Sequence, residues 1–406
     1  MQQASDWKAS LTKAFARGFP DAGEPIALSV APGRIEVLGN HTDYNGGEVL
    51  GAAVDRQLAV AVGQRTDRAI HLMSGDGERK EPVVLSLDRL EPVAGTSPEA
   101  WTNYPVGVLV ELIRAGMTVD RGFNILVLSD LDPGAGLSSS AALELSAALA
   151  LASAASFSLK DRAQLARLGR RAENGFVGVP CGILDQGVSA FGQKDALVHI
   201  DCDTEVFSTS PLPPRMHFWV FNSGKKHALI DSMYSQRHEE CMNALQVLRG
   251  FFPEITGLCS LKPAQLAGHR VDLPAAAFKR AHHVVHENGR VQQAVTALED
   301  GDLDQLGRLL SASHESSRDF MENSTPELDF LVGQLTGRPG VIGARLTGGG
   351  FGGAVLALTD DTFGKEDANA VMDAYRVETG VKSRWTHMIT GPGAQVIHGL
   401  DPLGGG

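Results

Sequence analysis

Several familiar signatures are missing from this chain, and each absence removes a class of protein. No GxxxxGKS or GxxxxGKT stretch is present, which excludes a P-loop nucleotidase. No GxGxxG opens a helix behind a strand, which disfavours a dinucleotide-binding domain. No apolar run is long enough to span a bilayer, and the opening MQQASDWKASLTKAF has no apolar signal region. Low-complexity tracts are absent too. Cysteine is scarce: Cys181, Cys202, Cys241 and Cys259 are scattered without CxxC spacing and read as reduced thiols in a cytoplasmic protein. Positive charge is in deficit, with 36 Lys and Arg against 48 Asp and Glu, a net −12. That balance argues against nucleic acid or an anionic membrane as the main partner. A small anionic ligand would then need a local positive site. At 406 residues, two domains are expected.

The stretch from Asp132 to Ala155, DPGAGLSSSAALELSAALALASAA, supplies one candidate for such a site. Its first half is glycine, proline and serine; its second half is Ala- and Leu-rich helix-forming sequence. The serines suit an N-cap, which puts the helix start near Ser138 or Ser139. Free backbone N–H groups and the positive end of the helix dipole are what phosphate oxygens need. An ordinary capped helix fits the same residues, and both readings stand at this point. Between Gly348 and Gly353, five of six residues are glycine. Such density between two strands costs backbone entropy and implies close approach to a ligand or another backbone.

Hydrophobic periodicity predicts a short surface helix over 6–15, strands over 26–30, 49–62, 69–73, 82–87 and 123–128, and helices over 101–115 and 159–173. Strands over 196–200 and 217–221 flank the proline-rich SPLPPR, and the domain boundary is placed there, giving 1–212 and 213–406. The second half is predicted mostly helical, over 232–250, 275–298, 303–317 and 326–334. It closes with strands over 341–346 and 354–358, a helix over 365–379 and a last strand near 385–389.

Arg34, His41 and Asp43 are expected to crowd one glycine-rich loop, an arrangement suited to a polyhydroxyl ligand, although Asp43-Tyr44-Asn45-Gly46 is also good turn sequence. Asp185, in GILDQ, is either an N-cap or, with a cation such as Arg34 near, a base. Glu173 is a solvated carboxylate by default and a Mg²⁺ ligand if a serine hydroxyl faces it. His282, His283 and His286 give an i, i+4 pair on a helix without an evident third ligand, so metal binding there is not expected. The run Arg167, Arg170, Arg171 reads as a solvated helix face.

Taken together, APGRIEVLGNHTDYNGG, PGAGLSSSAAL, AENGFVGVPCGILDQ, SGKKHALIDSMYSQRHEEC, SHESSRDFMENSTPELDFLV and GVIGARLTGGGFGG resemble, in order, the blocks of the sugar-phosphorylating GHMP small-molecule kinases. The resemblance implies a two-domain α+β fold: an N-terminal α/β domain and a C-terminal ferredoxin-like α+β domain, with the active site in the cleft between them. It implies ATP-dependent phosphorylation of galactose at O1, with ATP and Mg²⁺ as cofactors and a monomeric chain. By that resemblance Asp185 is the catalytic carboxylate facing the anomeric hydroxyl, with Arg34 as its cationic partner. Ser140 and Glu173 fall at the Mg²⁺ ligands. Gly134, Ala135, Gly136, Leu137, Ser138 and Ser139 wrap the ATP phosphates, and Trp101 and Tyr104 match the adenine pocket. His41, Asp43, Gly182 and Tyr234 match sugar contacts, and Gly348 to Gly350 form a lid-like loop near them. One departure stands out. The family usually has Asn where this chain has Glu36, and Glu where it has Asn40, and that Glu binds the sugar's O6 hydroxyl. Asn40 carries no charge to repel a C6 carboxylate, so a galacturonate or another C6-modified sugar is the alternative substrate, with Lys225 or Lys226 near enough to help. If Glu36 reaches the same hydroxyl, the exchange is compensatory and galactose remains the substrate. A non-catalytic sugar sensor is the third reading.

Overall fold

A computed structural model describes residues 4–75, 81–131, 136–225 and 230–404. The first half runs through helix α1 (Ala4–Gly18), strands β1 (Ala27–Leu38), β2 (Glu48–Gln64), β3 (Ala69–Ser74) and β4 (Val83–Ser86), and helix α2 (Asn103–Arg114). Strand β5 (Phe123–Ser129), helices α3 (Ser139–Ala154), α4 (Arg162–Ala172) and α5 (Leu184–Phe191), and strands β6 (Ala196–Asp201) and β7 (Val206–Pro211) follow. The second half comprises β8 (His217–Asn222), the helices α6 (Ile230–Leu248), α7 (Pro263–Gly268), α8 (Ala275–Asp300), α9 (Leu303–Ser316) and α10 (Pro326–Leu335), then β9 (Val341–Thr347), β10 (Ala354–Thr359), α11 (Lys365–Thr379), β11 (Trp385–Met388) and β12 (Gln395–His398).

These elements form two sheets. The larger has the order β12-β1-β2-β5-β3-β4, with β6 on the far part of β2 and β7 beside β6. Among the described residues only its β3–β5 pairing is parallel in the first sheet. The smaller sheet is antiparallel, in the order β11-β8-β10-β9. Its fourth strand lies beside its first, the arrangement of a split β-α-β unit. The sheets change over between Pro211 and His217, beside the prolines at 211, 213 and 214. The last strand returns to the first sheet, where Gln395 pairs with Val30 and His398 with Leu28.

Helix α3 is apolar on every side. All residues from Ala141 to Ser153 are buried, so it is a central helix between the first sheet and α2, α4 and α5. Helix α1 lies on the surface as expected, with Asp6, Lys8 and Lys13 exposed and one apolar face turned to the sheet. Trp7, Leu11 and Phe15 are buried against Leu28, Val30, Ala59, Ala61 and Leu126 on the opposite face of that sheet. Burying each such side chain contributes about 1.5–3 kcal/mol. Under the second sheet, α10 and α11 cover Trp219, Phe221, Leu346 and Val355. Among the described residues no helix is long and apolar enough to cross a membrane, and all four cysteines are free thiols.

Candidate active site

Strand β1 carries the first half of the site. It runs on to Leu38, so Arg34 sits on a strand and not in the expected loop. Its pairing with β2 shifts register between Pro32 and Arg34 and again between Glu36 and Leu38. Such irregularities re-aim side chains locally, and they bracket the two residues of β1 that line the cavity. Arg34 donates from Nε and Nη2 to the two carboxylate oxygens of Asp185, at 2.6 and 2.7 Å. Its Nη1 donates to the Gly136 carbonyl at 2.7 Å, and its backbone N–H to that of Leu137 at 3.0 Å. The strand is thereby tied to the glycine-serine loop.

Asp185 lies in the first turn of α5, after the flanking residue Ile183, so it does not cap that helix. Its second oxygen also accepts a short hydrogen bond from the Ser138 hydroxyl. Ser138 precedes α3 in the left-handed conformation, φ 49°, and its side chain makes no cap bond to its own helix. The serine that the sequence offers as a cap is turned toward the carboxylate instead.

A second network surrounds Glu36 and Asn40. Asn40 Nδ2 donates to Glu36 Oε1 at 3.0 Å and to the Gly348 carbonyl at 2.8 Å. The guanidinium of Arg345, a fully buried residue of β9, reaches the same Glu36 oxygen at 3.0 Å and the Val37 carbonyl at 3.0 Å. Burial raises the Glu36 carboxyl above its usual range, and Arg345 pulls it back down. The bonds from Asn40 and Arg345 both fall on Glu36 Oε1. Asn323 Nδ2 donates to Asn40 Oδ1 at 2.9 Å and lies 3.3 Å from His41 Nε2. His41 Nδ1 and the Tyr44 hydroxyl are 2.7 Å apart, and the His41 ring stacks on Tyr234 at 5.1 Å. Burial lowers the His41 imidazole well below its usual range, so it is neutral, with Nδ1 donating.

Arg34, Glu36, Asn40, His41, Asp43, Gly182, Asp185, Tyr234, Gly348 and Gly349 all line one cavity of about 620 Å³. It opens between the segments of the first half and the Tyr234 helix and glycine loop of the second. Burial, with help from Glu36 and Asp185, raises the Asp43 carboxyl to about 7. A Cβ on Gly182 would collide with that carboxylate, which explains the glycine. The loop at 348–353 needs glycine for two reasons. Gly348 and Gly350 have φ of 71° and 82°, and a Cβ on Gly350 would strike the Asn323 carbonyl.

Behind Asp185 lies a buried acidic cluster. Glu173 opens a single π turn after α4. Its carboxylate accepts from the Ser140 hydroxyl, from Gln186 Nε2 at 2.7 Å and from Cys181 Sγ at 3.4 Å. Gln186 Nε2 also donates to Glu144 at 2.9 Å. The Glu173 carboxyl is raised, by burial first and by Asp185 second. A buried carboxylate beside a hydroxyl is an oxygen pair suited to a hard divalent cation. Tyr104 is half-buried; burial and the nearby Glu173 and Glu144 raise its phenol. Trp101 packs against the main core beside it in sequence. Ser139 and Ser140 begin α3, whereas Gly134 and Ala135 fall outside the described residues.

Some expectations need correction. Lys225 is paired with Glu327 and does not line the cavity; Lys226 lies outside the described residues. Arg167 and Arg170 bind Glu205, and Arg171 binds Glu111, so that face is cross-linked. His282 and His286 stack on each other at 4.0 Å, while His283 between them points inward to Asn40. Arg345, Asn323, Gln186, Glu144 and Glu287 escaped the sequence reading, and His283 was read there only as part of a histidine cluster. Arg345 had one signal, a lone cation in the apolar strand GVIGARL.

Comparison with known proteins fixes the class. Family models described as "GHMP kinases N terminal domain" and "GHMP kinases C terminal" match residues 103–193 and 294–377. A third, "Galactokinase galactose-binding signature", matches residues 13–64. Galactokinase of Roseiflexus sp. is 41% identical over 359 residues, 86% of this chain and 88% of that protein. Galactokinase of Bacillus subtilis is 34% identical over 93% of this chain and 96% of its own. The crystal structure of Lactococcus lactis galactokinase complexed with galactose superposes with a TM-score of 0.89 at 33% identity, covering 95% of this chain and 99% of that one. A mevalonate kinase structure, at 17% identity and a TM-score of 0.60, shares the fold. The chain belongs to the GHMP kinase family, in its galactokinase branch, and is a kinase with the two-domain α+β fold of that family.

Proposed function

We propose that this chain is an ATP- and Mg²⁺-dependent kinase that phosphorylates galactose at O1. The observation that carries the reading is the Arg34–Asp185 pair, held at two points, facing the cavity and tied to the start of α3. Phosphoryl transfer asks mainly for positioning and charge neutralisation. Asp185, paired with Arg34 and bonded by the Ser138 hydroxyl, faces the anomeric hydroxyl and takes its proton. The bond from O1 to the γ-phosphorus forms as the bond from that phosphorus to ADP breaks. Gly136 to Ser140 and the amides of the α3 start, with Gly134 and Ala135, take the phosphates, and Trp101 and Tyr104 take the adenine. Ser140 and Glu173 would hold Mg²⁺, which when bound would neutralise charge on the phosphate oxygens. Residues 1–212 with the returning β12, and the remainder of 213–406, are the two domains on either side of the cleft.

His41, Asp43, Tyr234, Gly182 and the 348–349 loop surround the sugar. Glu36 lines the same cavity, with the bonds from Asn40 and Arg345 both on Oε1, so the pocket still holds a carboxylate for a C6 hydroxyl. That carboxylate would repel a uronic acid, and Lys225, its proposed counter-charge, is occupied elsewhere. The galacturonate alternative is therefore disfavoured. A sensor without activity is disfavoured because Asp185, Arg34, Ser140 and Glu173 are all present. A coupled assay tests the reading: galactose-stimulated ADP release supports it, and tight galactose binding with no turnover overturns it. The sugar and ATP are the partners; a cytoplasmic monomer is the setting we assign.

A further inference from the structure

The turn Gly39–His41 supplies two cavity-lining side chains, yet its backbone conformation is costly. Gly39 has φ 101° and His41, a non-glycine residue, has φ 64°. For His41 such a conformation is strained and persists only where its surroundings enforce it. The enforcing groups come from the other half of the chain, on helix α8. Glu287 Oε1 accepts from the backbone N–H of Gly39 at 3.1 Å and of Asn40 at 3.3 Å. His283 Nε2 donates to the Asn40 carbonyl at 3.0 Å. The two residues are one helical turn apart on one face of α8, so they grip the N–H and the C=O of the same residue.

Both grips are themselves supported. Ser313 donates to Glu287 Oε1 at 2.7 Å and Arg290 to Oε2 at 2.6 Å, so the fully buried carboxylate is paired with a cation and hydrogen-bonded at both oxygens. Ser316 Oγ lies 3.0 Å from His283 Nδ1, leaving Nε2 as the donor, and burial lowers this imidazole to about 4, so it is neutral. Neither Glu287 nor His283 lines the cavity.

We infer that His283 and Glu287 are positioning residues for the acceptor sugar: they hold the 39–41 turn so that Asn40 and His41 present a preformed face to it. The inference rests on the sugar-kinase reading above, and it assigns part of sugar recognition to a helix that never touches sugar. Disordering the turn returns its ordering entropy to the binding step, which weakens the sugar and spares the nucleotide.

The test is steady-state kinetics with galactose and ATP, plus calorimetric galactose affinity without nucleotide. Glu287→Gln turns one acceptor oxygen into a donor. It is expected to raise the galactose KM and Kd tenfold or more, with the ATP KM within twofold and kcat within threefold. His283→Leu should do the same, whereas His283→Gln, which keeps an N–H at the end of the side chain, should stay within threefold of the parent. If Glu287→Gln fails to fold, the two His283 variants carry the test. An unchanged galactose KM in folded variants, or an equal rise in both KM values, overturns the inference. Amide exchange over residues 36–44 gives a readout independent of turnover. It should accelerate locally in Glu287→Gln or His283→Leu, even if the parent proves inert toward galactose, in which case the kinase reading fails and the clamp stands. Unaltered exchange there would remove the clamp.

Discussion

Asn40 donates a hydrogen bond from its amide to the Glu36 carboxylate at 3.0 Å, and the same carboxylate oxygen is ion-paired with buried Arg345 at 3.0 Å. Carboxylate and carboxamide, four residues apart in sequence, share one place in the pocket wall. Exchanging the two residue types therefore leaves the chemistry of that wall nearly intact. Single changes do not. Asn40→Glu sets two carboxylates beside one guanidinium, and Glu36→Asn leaves Arg345 without its carboxylate, which costs about 3–5 kcal/mol for a buried charge. The double variant Glu36→Asn, Asn40→Glu should recover stability and galactose kcat/KM, so that the coupling in a double-mutant cycle about equals the sum of the two single losses. Additive losses would show that the two positions act separately.

Asp185→Asn should lower kcat by about 10²–10⁴-fold, the range of a positioned proton acceptor. Binding of a non-hydrolysable ATP analogue should hold within about threefold, because Asp185 faces the acceptor cavity. Near-normal turnover would remove Asp185 from the chemistry.

The pH dependence follows from Asp43, whose carboxyl is raised to about 7 against an ordinary 3.8. The folded chain holds this proton where the unfolded chain has lost it, so Asp43's contribution to stability falls as pH rises between about 4 and 7. Sugar hydroxyls need the ionised form as acceptor. The galactose kcat/KM should therefore rise with pH through an inflection near 7, and Asp43→Asn should abolish that inflection.

Glu173→Gln should raise the Mg²⁺ concentration needed for half-maximal rate about tenfold or more. It should also weaken Mn²⁺ binding followed by its water relaxation, a readout that needs no turnover. An unchanged metal requirement would move the metal elsewhere.

Much of this site was legible from residue types, because glycine loops, a helix start and clustered polar residues advertise themselves locally. The strand character of residues 31–38 was not, since Pro32 and Gly33 punctuate it; its pairing with β2 makes it a strand. Strand β7 was hidden by the prolines that follow Ser210, and β12 by its four-residue length at an edge. The second-half partners were harder still. Arg345 lies more than 300 residues from Glu36, and Glu287 some 247 from Asn40. No local pattern encodes such pairings; they arise when α8, α9 and β9 pack against β1.

The most direct measurement is phosphorus NMR of the product made from galactose, ATP and Mg²⁺, joined to kcat/KM values for galactose, galacturonate, N-acetylgalactosamine, 6-deoxygalactose and glucose. The account predicts one phosphomonoester coupled to the single anomeric proton, ADP formed in equal amount, and galactose ahead of galacturonate by at least tenfold, about 1.4 kcal/mol of transition-state preference. A phosphate coupled to two C6 protons, or galacturonate in first place, would contradict it.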